Sequence, residues 1–221
     1  MKKDSLGNRM KENYEFRTAT KLIKRMPVII RLDGKTFHSL TRKCIKPFDE
    51  NLNNCMVETA RKLCKELMGV QMAYIQSDEI SLFLTDYTNL TTQGWFDYKL
   101  SKIISISSAM ASVEFTKLFG ADALFDSRAF NIPKEEVINY FIWRQKDWER
   151  NSLQMLARSQ YSAKQLFKKN RVDMMDMLML EKGINWAKLP RKWKNGTILL
   201  KENNFKSQYF QFTKNRKKII I

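Results

Sequence analysis

Histidine is almost missing from this chain: His38 is the single one in 221 residues. A multi-histidine metal centre is therefore excluded, and so is most triad chemistry away from residue 38. Cysteine is nearly as scarce. Cys44, Cys55 and Cys64 are odd in number and form no Cys-x-x-Cys pair. That argues against a disulfide framework or a zinc site and for buried free thiols. No apolar run reaches the ~18 residues that a membrane span needs, and the opening MKKDSLGNRMKENYEF has charge where a secretory leader has an apolar core. The expectation is a cytoplasmic protein with no membrane partner. Low-complexity linkers and repeats are also lacking, so nothing marks a hard domain boundary.

The last deficit is of acid. Against 40 Lys and Arg stand 23 Asp and Glu, a net charge of +17. Such an imbalance speaks of partners and not of fold: RNA, DNA or an acidic membrane surface. The basic runs KLIKR, KQLFKKNR, KLPRKWK and KNRKK are spread through the chain, which favours a broad nucleic-acid face over a detachable tail. The bland alternative is a surface kept soluble by charge. What is present in quantity is apolar: 43% of residues, with 14 Phe, 7 Tyr and 5 Trp. This is enough for a folded core, and the length suits one compact domain, or one core with a helical extension.

Along the chain, the β-branched run Val28 to Ile30 reads as a buried strand ending at Asp33-Gly34. From Asp49 to Met68, Leu52, Met56, Ala60, Leu63 and Leu67 recur at steps of three and four, an amphipathic helix with Gly69 as its expected cap. VQMAYI and ISLFL then read as two strands of a hairpin around Gln76-Ser77-Asp78-Glu79, without the usual Asn-Gly. A second helix is expected from about Asp97 to Phe119, stopped by Gly120, and ALFDSRAFNIP is a strand cut off by Pro133. The rest reads as helical: residues 134–158, then SAKQLFKK with a Ser162-x-x-Gln165 capping box, then VDMMDMLMLEKG ending at Gly183. Met174, Met175, Met177 and Met179 are expected to fill core, as are Trp143 and Trp148, with base stacking the alternative for the tryptophans. A soft boundary near Pro133 separates residues 1–133 from a C-terminal part, 134–221, packed on it.

Strand, helix, strand, strand can bring Asp33, at the end of the first strand, beside Asp78 and Glu79 at the hairpin turn. Carboxylates are costly to bury without a partner or a metal. Two or three of them at one sheet edge suit Mg²⁺, which takes one or two protein carboxylates and keeps phosphate and water oxygens as further ligands. Two such ions serve phosphoryl transfer. The amides of Asp33-Gly34-Lys35-Thr36-Phe37-His38, after the turn, can face a triphosphate. The competing reading is a turn aspartate with a hairpin Asp-Glu capping nearby amides.

VIIRLDGKTFH, KPFDE, AYIQSDEISLFL, FDSRAFNIP, WRQKDWERNSLQMLAR and KNGT occur in this order and resemble the histidine-tRNA guanylyltransferase family, enzymes that polymerise in the 3′–5′ direction. The resemblance covers residues 5–202. It implies an α+β fold, with a polymerase-palm-like (ferredoxin-like) antiparallel sheet, helices and a mainly helical C-terminal part. It implies Asp33, Asp78 and Glu79 as the catalytic acids, with two Mg²⁺ held by Asp33, Asp78 and the Gly34 carbonyl. ATP and GTP or other NTPs are then substrates, met by residues 33–38, by Ser77-Asp78, and by Lys46 and Asp49 of Lys-Pro-Phe-Asp. Arg31, Lys102, Arg128, Asn151 and Lys194 fall at motif positions suited to phosphate or tRNA contact. Family enzymes act on tRNA as dimers or tetramers, so a homo-oligomer is implied.

One departure stands out. Animal and fungal members carry His-Ile-Asn-Asn where this chain reads Glu149-Arg150-Asn151-Ser152. It thereby resembles the guanylyltransferase-like branch of bacteria and archaea, which repairs 5′-truncated tRNA against the opposite strand. Untemplated guanylate addition to histidine tRNA is the alternative. A palm-type nucleotide cyclase would share the carboxylates but has no use for +17, and an RNA-binding protein with a decayed site would not be expected to keep all three acids. His38 invites a general-base role, against stacking on a nucleotide or simply packing. The tail FKSQYFQFTKNRKKIII has no family counterpart, and an extra strand, an oligomer contact and a basic arm on RNA stay open for it.

Overall fold

The computed structural model describes residues 5–201 and 205–208. In chain order the elements are α1 (Leu6–Met10), β1 (Val28–Gly34), α2 (Phe37–Leu40), α3 (Glu50–Glu66), β2 (Val70–Gln76), β3 (Glu79–Leu84), α4 (Leu100–Phe119), β4 (Phe125–Asn131), α5 (Lys134–Gln160), α6 (Ala163–Leu166), α7 (Arg171–Lys182), α8 (Arg191–Asn195), β5 (Thr197–Leu200) and β6 (Lys206–Gln208). The six strands form one sheet in the order β4-β1-β3-β2-β5-β6, antiparallel at every pairing. The expected α+β class holds. β1-α3-β2-β3-α4-β4 with β1 and β3 at the centre is the split βαβ arrangement of the ferredoxin-like type.

Period-two alternation sorts each strand onto two covered faces. Val28, Ile30 and Leu32 of β1 join Met56, Ala60 and Leu63 of α3 and Ala111 and Phe115 of α4. Ile29 faces the other way, into a cluster with Met72, Tyr74, Phe83 and, from α5, Val137, Ile138 and Phe141. Cover on both faces explains why β1 opens as an unbroken apolar run. Beyond the sheet, Leu153, Leu156 and Ala157 of α5 pack on Met174 and Leu178 of α7 and on Trp186.

The structure corrects several boundaries. α3 stops at Glu66 with an extended Leu67 after it, so Gly69 is no helix cap. Gly69 has φ +90°, and a Cβ there would lie 2.7 Å from the Thr85 carbonyl oxygen, so the residue serves a tight strand approach. Asp97 precedes α4 and does not begin it: it sits at φ 50° and binds Lys21 and, at 2.6 Å, Lys24. The capping box at Ser162 forms, but the helix it starts is a single turn, Ala163–Leu166. Met174 is buried while Met179 is half exposed, and Trp148 is buried while Trp143 is 53% exposed. Of the tail, residues 206–208 supply the extra strand β6 beside β5. Residues 209–221, with the KNRKK run, lie outside the described residues.

No helix among the described residues is long and apolar enough to cross a membrane. The three cysteines are free. Burial pushes the Cys64 thiol up to about 12, and Cys55 is also buried whereas Cys44 is partly exposed. Iodoacetamide on the folded protein is expected to label Cys44 first and Cys64 only on unfolding. Equal labelling rates by mass spectrometry would contradict this packing.

Candidate active site

The same alternation that buries Ile29 places Arg31 and Asp33 on the sheet face under α5. Register then fixes their neighbours. Asp33 stands opposite Glu79 of β3 and Asp126 of β4, and Arg31 opposite Ser81 and Arg128. Glu79 is paired in turn with Gln76, and Ser81 with Tyr74. An acidic row, Asp126, Asp33 and Glu79, therefore crosses the sheet next to a row that begins with two arginines.

Two residues, Ser77 and Asp78, make the hairpin turn between β2 and β3. Ser77 takes φ 48°, the left-handed conformation that Asn-Gly usually supplies. The turn is pinned beside β1, because the Gly34 amide donates to the Asp78 carbonyl at 3.0 Å. Asp33 and Asp78 are thus brought to one place from two strand ends. Gly34 fits tightly there, since a Cβ on it would come within 2.3 Å of the Phe37 ring.

Asp33, Ser77, Asp78 and Glu79 line one end of a cavity of about 380 Å³, whose wall continues along α5 through Arg144, Asp147, Asn151 and Arg158. A second cavity, about 260 Å³, is lined by Phe37, His38, Lys46, Asp49, Ser77 and Asp78. The two share the hairpin turn. Burial pushes the Asp78 carboxyl up, a hydrogen bond from Ser77 opposes this, and the charge of Asp33 adds to the rise. A cation between the two carboxylates would relieve both burial and repulsion. Among the described residues no three His, Cys, Asp or Glu side chains converge as a ready-made metal cage. Two acidic oxygen donors in a polar cavity fit Mg²⁺, which asks for no more from protein.

Glu79 lines the same cavity in a different bonding state. Arg144 Nε donates to its Oε1 at 2.8 Å and Nη2 to its Oε2 at 2.6 Å, while Ser81 Oγ donates to Oε1 at 3.2 Å. Burial pushes the Glu79 carboxyl up and Arg144 pulls it back. Arg144 also reaches Asp147 at 3.2 Å, and Ser81 meets the Tyr140 hydroxyl at 2.9 Å. Glu79 is accordingly the anchor of α5 on the sheet, and its oxygens are already engaged.

The other expected residues divide. His38 and Lys35 are exposed, and Thr36 has φ 56°. The Phe37 ring packs on Phe115 and Phe125, so its backbone is what it can offer a nucleotide. Asp49 caps α3: its two oxygens accept from the Leu52 and Ile45 amides, each at 2.8 Å, and the Leu52 bond is the main reason its carboxyl is held low. Lys46 donates to the Thr41 carbonyl at 3.0 Å. Asn151 lies in the first cavity, reaching Asp147 at 3.3 Å. Arg128 pairs with Asp126 at 3.3 Å, and Arg31 lies beneath Trp143 with its Nε buried and unpartnered.

Lys102 and Lys194 are not brought to the carboxylates. The Phe125 amide donates to Ser112 Oγ of α4 at 3.0 Å and Phe125 pairs with Gly34, so Lys102, ten residues earlier in α4, is about 15 Å of helix away. Lys194 sits near the Trp186 ring and donates to the Ala187 carbonyl. Arg144 and Asp147 were missed as site residues, although their stretch is among the quoted motifs. KNGT proves to be a brace: the Asn195 carbonyl accepts from Tyr74 Oη and Gln145 Nε2, both at 3.0 Å, and Asn195 Nδ2 donates to Glu149 at 2.8 Å.

A family model described as tRNAHis guanylyltransferase (Thg1) matches residues 7–133. The tRNA(His) guanylyltransferase of Schizosaccharomyces pombe is 28% identical over 85% of this chain and 78% of that protein. A bacterial tRNA(His) guanylyltransferase (Thg1)-like protein in complex with ATP superimposes with a TM-score of 0.93 at 41% identity, covering 98% of this chain and 99% of the other. Such a protein in complex with GTP gives a TM-score of 0.80 at 42% identity over 94% and 90%.

Proposed function

The chain belongs to the tRNA(His) guanylyltransferase family and is a nucleotidyltransferase, and from that premise we propose that it extends the 5′ end of tRNA in the 3′–5′ direction, copying the opposite strand to repair truncated ends in the cytoplasm. The observation that carries this reading is the pair of cavities meeting at Ser77–Asp78. An activating nucleotide in one and an incoming nucleotide in the other can both present phosphate to Asp78, the carboxylate that lines both cavities. A 5′-monophosphate would first attack the α-phosphate of ATP, releasing pyrophosphate and leaving an adenylylated end. The 3′-hydroxyl of the incoming nucleotide would then attack that 5′ phosphate, and AMP would leave. GTP can replace ATP in the first step, and a 5′-triphosphate end would skip it.

Asp33 and Asp78 would hold two Mg²⁺ with the Gly34 carbonyl. Bound there, the ions would stabilise the attacking and leaving oxygens. His38, Lys46 and the amides after Gly34 would orient the activating phosphates, while Arg144 and Glu79 keep the α5 wall in place. Lys102 and Lys194, which line neither cavity, suit the tRNA body, held across a dimer or tetramer.

Templating is favoured over untemplated guanylate addition by the 149–152 departure. The position of the missing histidine is Glu149, which binds Asn195 and braces α8. The test uses a 5′-triphosphorylated tRNA lacking its first nucleotide, with Mg²⁺ and each NTP singly, and with the opposing base varied. The added nucleotide is expected to follow the opposing base. Guanylate whatever the opposing base would establish the histidine-tRNA activity instead. Binding without addition would leave an RNA-binding protein.

A further inference from the structure

Trp143 contradicts its own helical pattern. In α5 the buried positions include Tyr140, Phe141, Arg144, Gln145 and Trp148, yet Trp143, between them, is 53% exposed. It is also firmly held. The Arg144 guanidinium lies 4.6 Å from the ring centroid, Arg31 lies 5.9 Å away, and Tyr140 meets it edge-on at 5.8 Å. At steps of three and four along the same helix stand Lys146 and Arg150, both exposed. Steps of three and four put all three on one face. Arg150 is tied to Asp147, whereas Lys146 has no ion pair among the described residues.

A single exposed apolar side chain asks for no explanation. This one has a rigid mount, two cations in line with it, and a position separated from Asp33 by two side chains. Trp143 touches Arg144, Arg144 binds Glu79 at 2.6 Å, and Glu79 is in register with Asp33. An aromatic face followed by cations is the footprint of unpaired nucleic acid, in which bases stack on the ring and phosphates follow the charges.

We propose that Trp143, Lys146 and Arg150 form a track for unpaired RNA beside the active site, with Trp143 stacking one nucleobase next to the reacting 5′ end. The inference rests on the tRNA-extension reading and adds a positioning surface to it. A gapped acceptor stem has two strands that can supply such a base, the recessed 5′ strand and the opposing one. The stacked chemistry is the same for both, and the test separates them.

Binding of a 5′-truncated tRNA is measured by fluorescence anisotropy for the parent, Trp143→Ala, Trp143→Phe and Lys146→Glu. Trp143→Ala is expected to weaken binding about 5- to 150-fold, the range for one lost base stack, and Trp143→Phe to stay within ~3-fold of the parent because a ring remains. Lys146→Glu, which touches no catalytic side chain, should weaken binding and lower the salt slope by about one or two. In turnover, KM for tRNA should rise with KM for the NTP unchanged. Abasic substitutions placed singly in either strand complete the assay. At the stacked nucleotide, loss of the base should weaken the parent and leave Trp143→Ala unaffected, which identifies the strand. The proposal is overturned if Trp143→Ala binds as the parent does, if its loss is the same for every abasic position, or if it changes oligomer mass without changing RNA affinity. A parent protein that neither binds nor extends the tRNA would overturn the functional reading itself.

Discussion

Asp78→Asn is expected to lower nucleotide transfer by about a thousand-fold or more, the effect of losing ~4 kcal/mol of transition-state stabilisation, with tRNA affinity nearly unchanged. The substitution removes a charge and little else. The Asp78 backbone carbonyl keeps its bond from the Gly34 amide, so the hairpin should stay docked on β1. Asp33→Asn should match it, and the double variant should be scarcely worse than either, because the two carboxylates act as a unit. Single-turnover assays with adenylylated tRNA isolate the transfer step. A loss below tenfold would show that the pair is not the metal-bearing centre.

Stability should move the other way. Burial and the charge of Asp33 both disfavour ionised Asp78, so in metal-free buffer at neutral pH the Asp78→Asn variant should melt no lower than the parent. Mg²⁺ should raise the melting temperature of the parent, since an ion that binds only the folded state stabilises it. It should not raise that of the variant. A parent unmoved by Mg²⁺ would argue against a pre-built site.

The carboxylates were legible in the sequence because strand geometry is local. Alternation from Val28 places Asp33 on a definite face, and a hairpin around Ser77-Asp78 needs no distant information. The bonding state of Glu79 was not legible. Its partner Arg144 is 65 residues away, and only the docking of α5 on the sheet joins them. Trp143 and Trp148 show the same limit within one helix. They are five residues apart, hence roughly 140° apart around the axis, and one pattern could not bury both. For Lys102 the motif position was apparent, but its distance from the carboxylates, set by where α4 packs along β4, was not. Gly69 was read as a cap on residue type alone, whereas the neighbour that requires glycine there, Thr85, lies just past the end of β3.

Arg144→Met is expected to cost about 3–5 kcal/mol of folding stability, the usual penalty for leaving one member of a buried ion pair alone. Glu79 is only 6% exposed, and without the guanidinium the side-chain donor left to it among the described residues is the Ser81 hydroxyl. The cost should fall as pH is lowered. Burial already pushes the Glu79 carboxyl up, loss of Arg144 pushes it further, and a protonated carboxyl needs no counter-charge. Urea denaturation at pH 8 and pH 5 reads this directly, and an equal loss at both would mean that Arg144 acts through packing alone. Glu79→Leu combined with Arg144→Met should recover most of the stability, because an apolar pair of similar volume can replace a buried ion pair. Transfer activity should not return with it. A stable, folded and inactive double variant would show that the bridge is replaceable as a fastening between α5 and the sheet, and that transfer needs its charges for more than fastening.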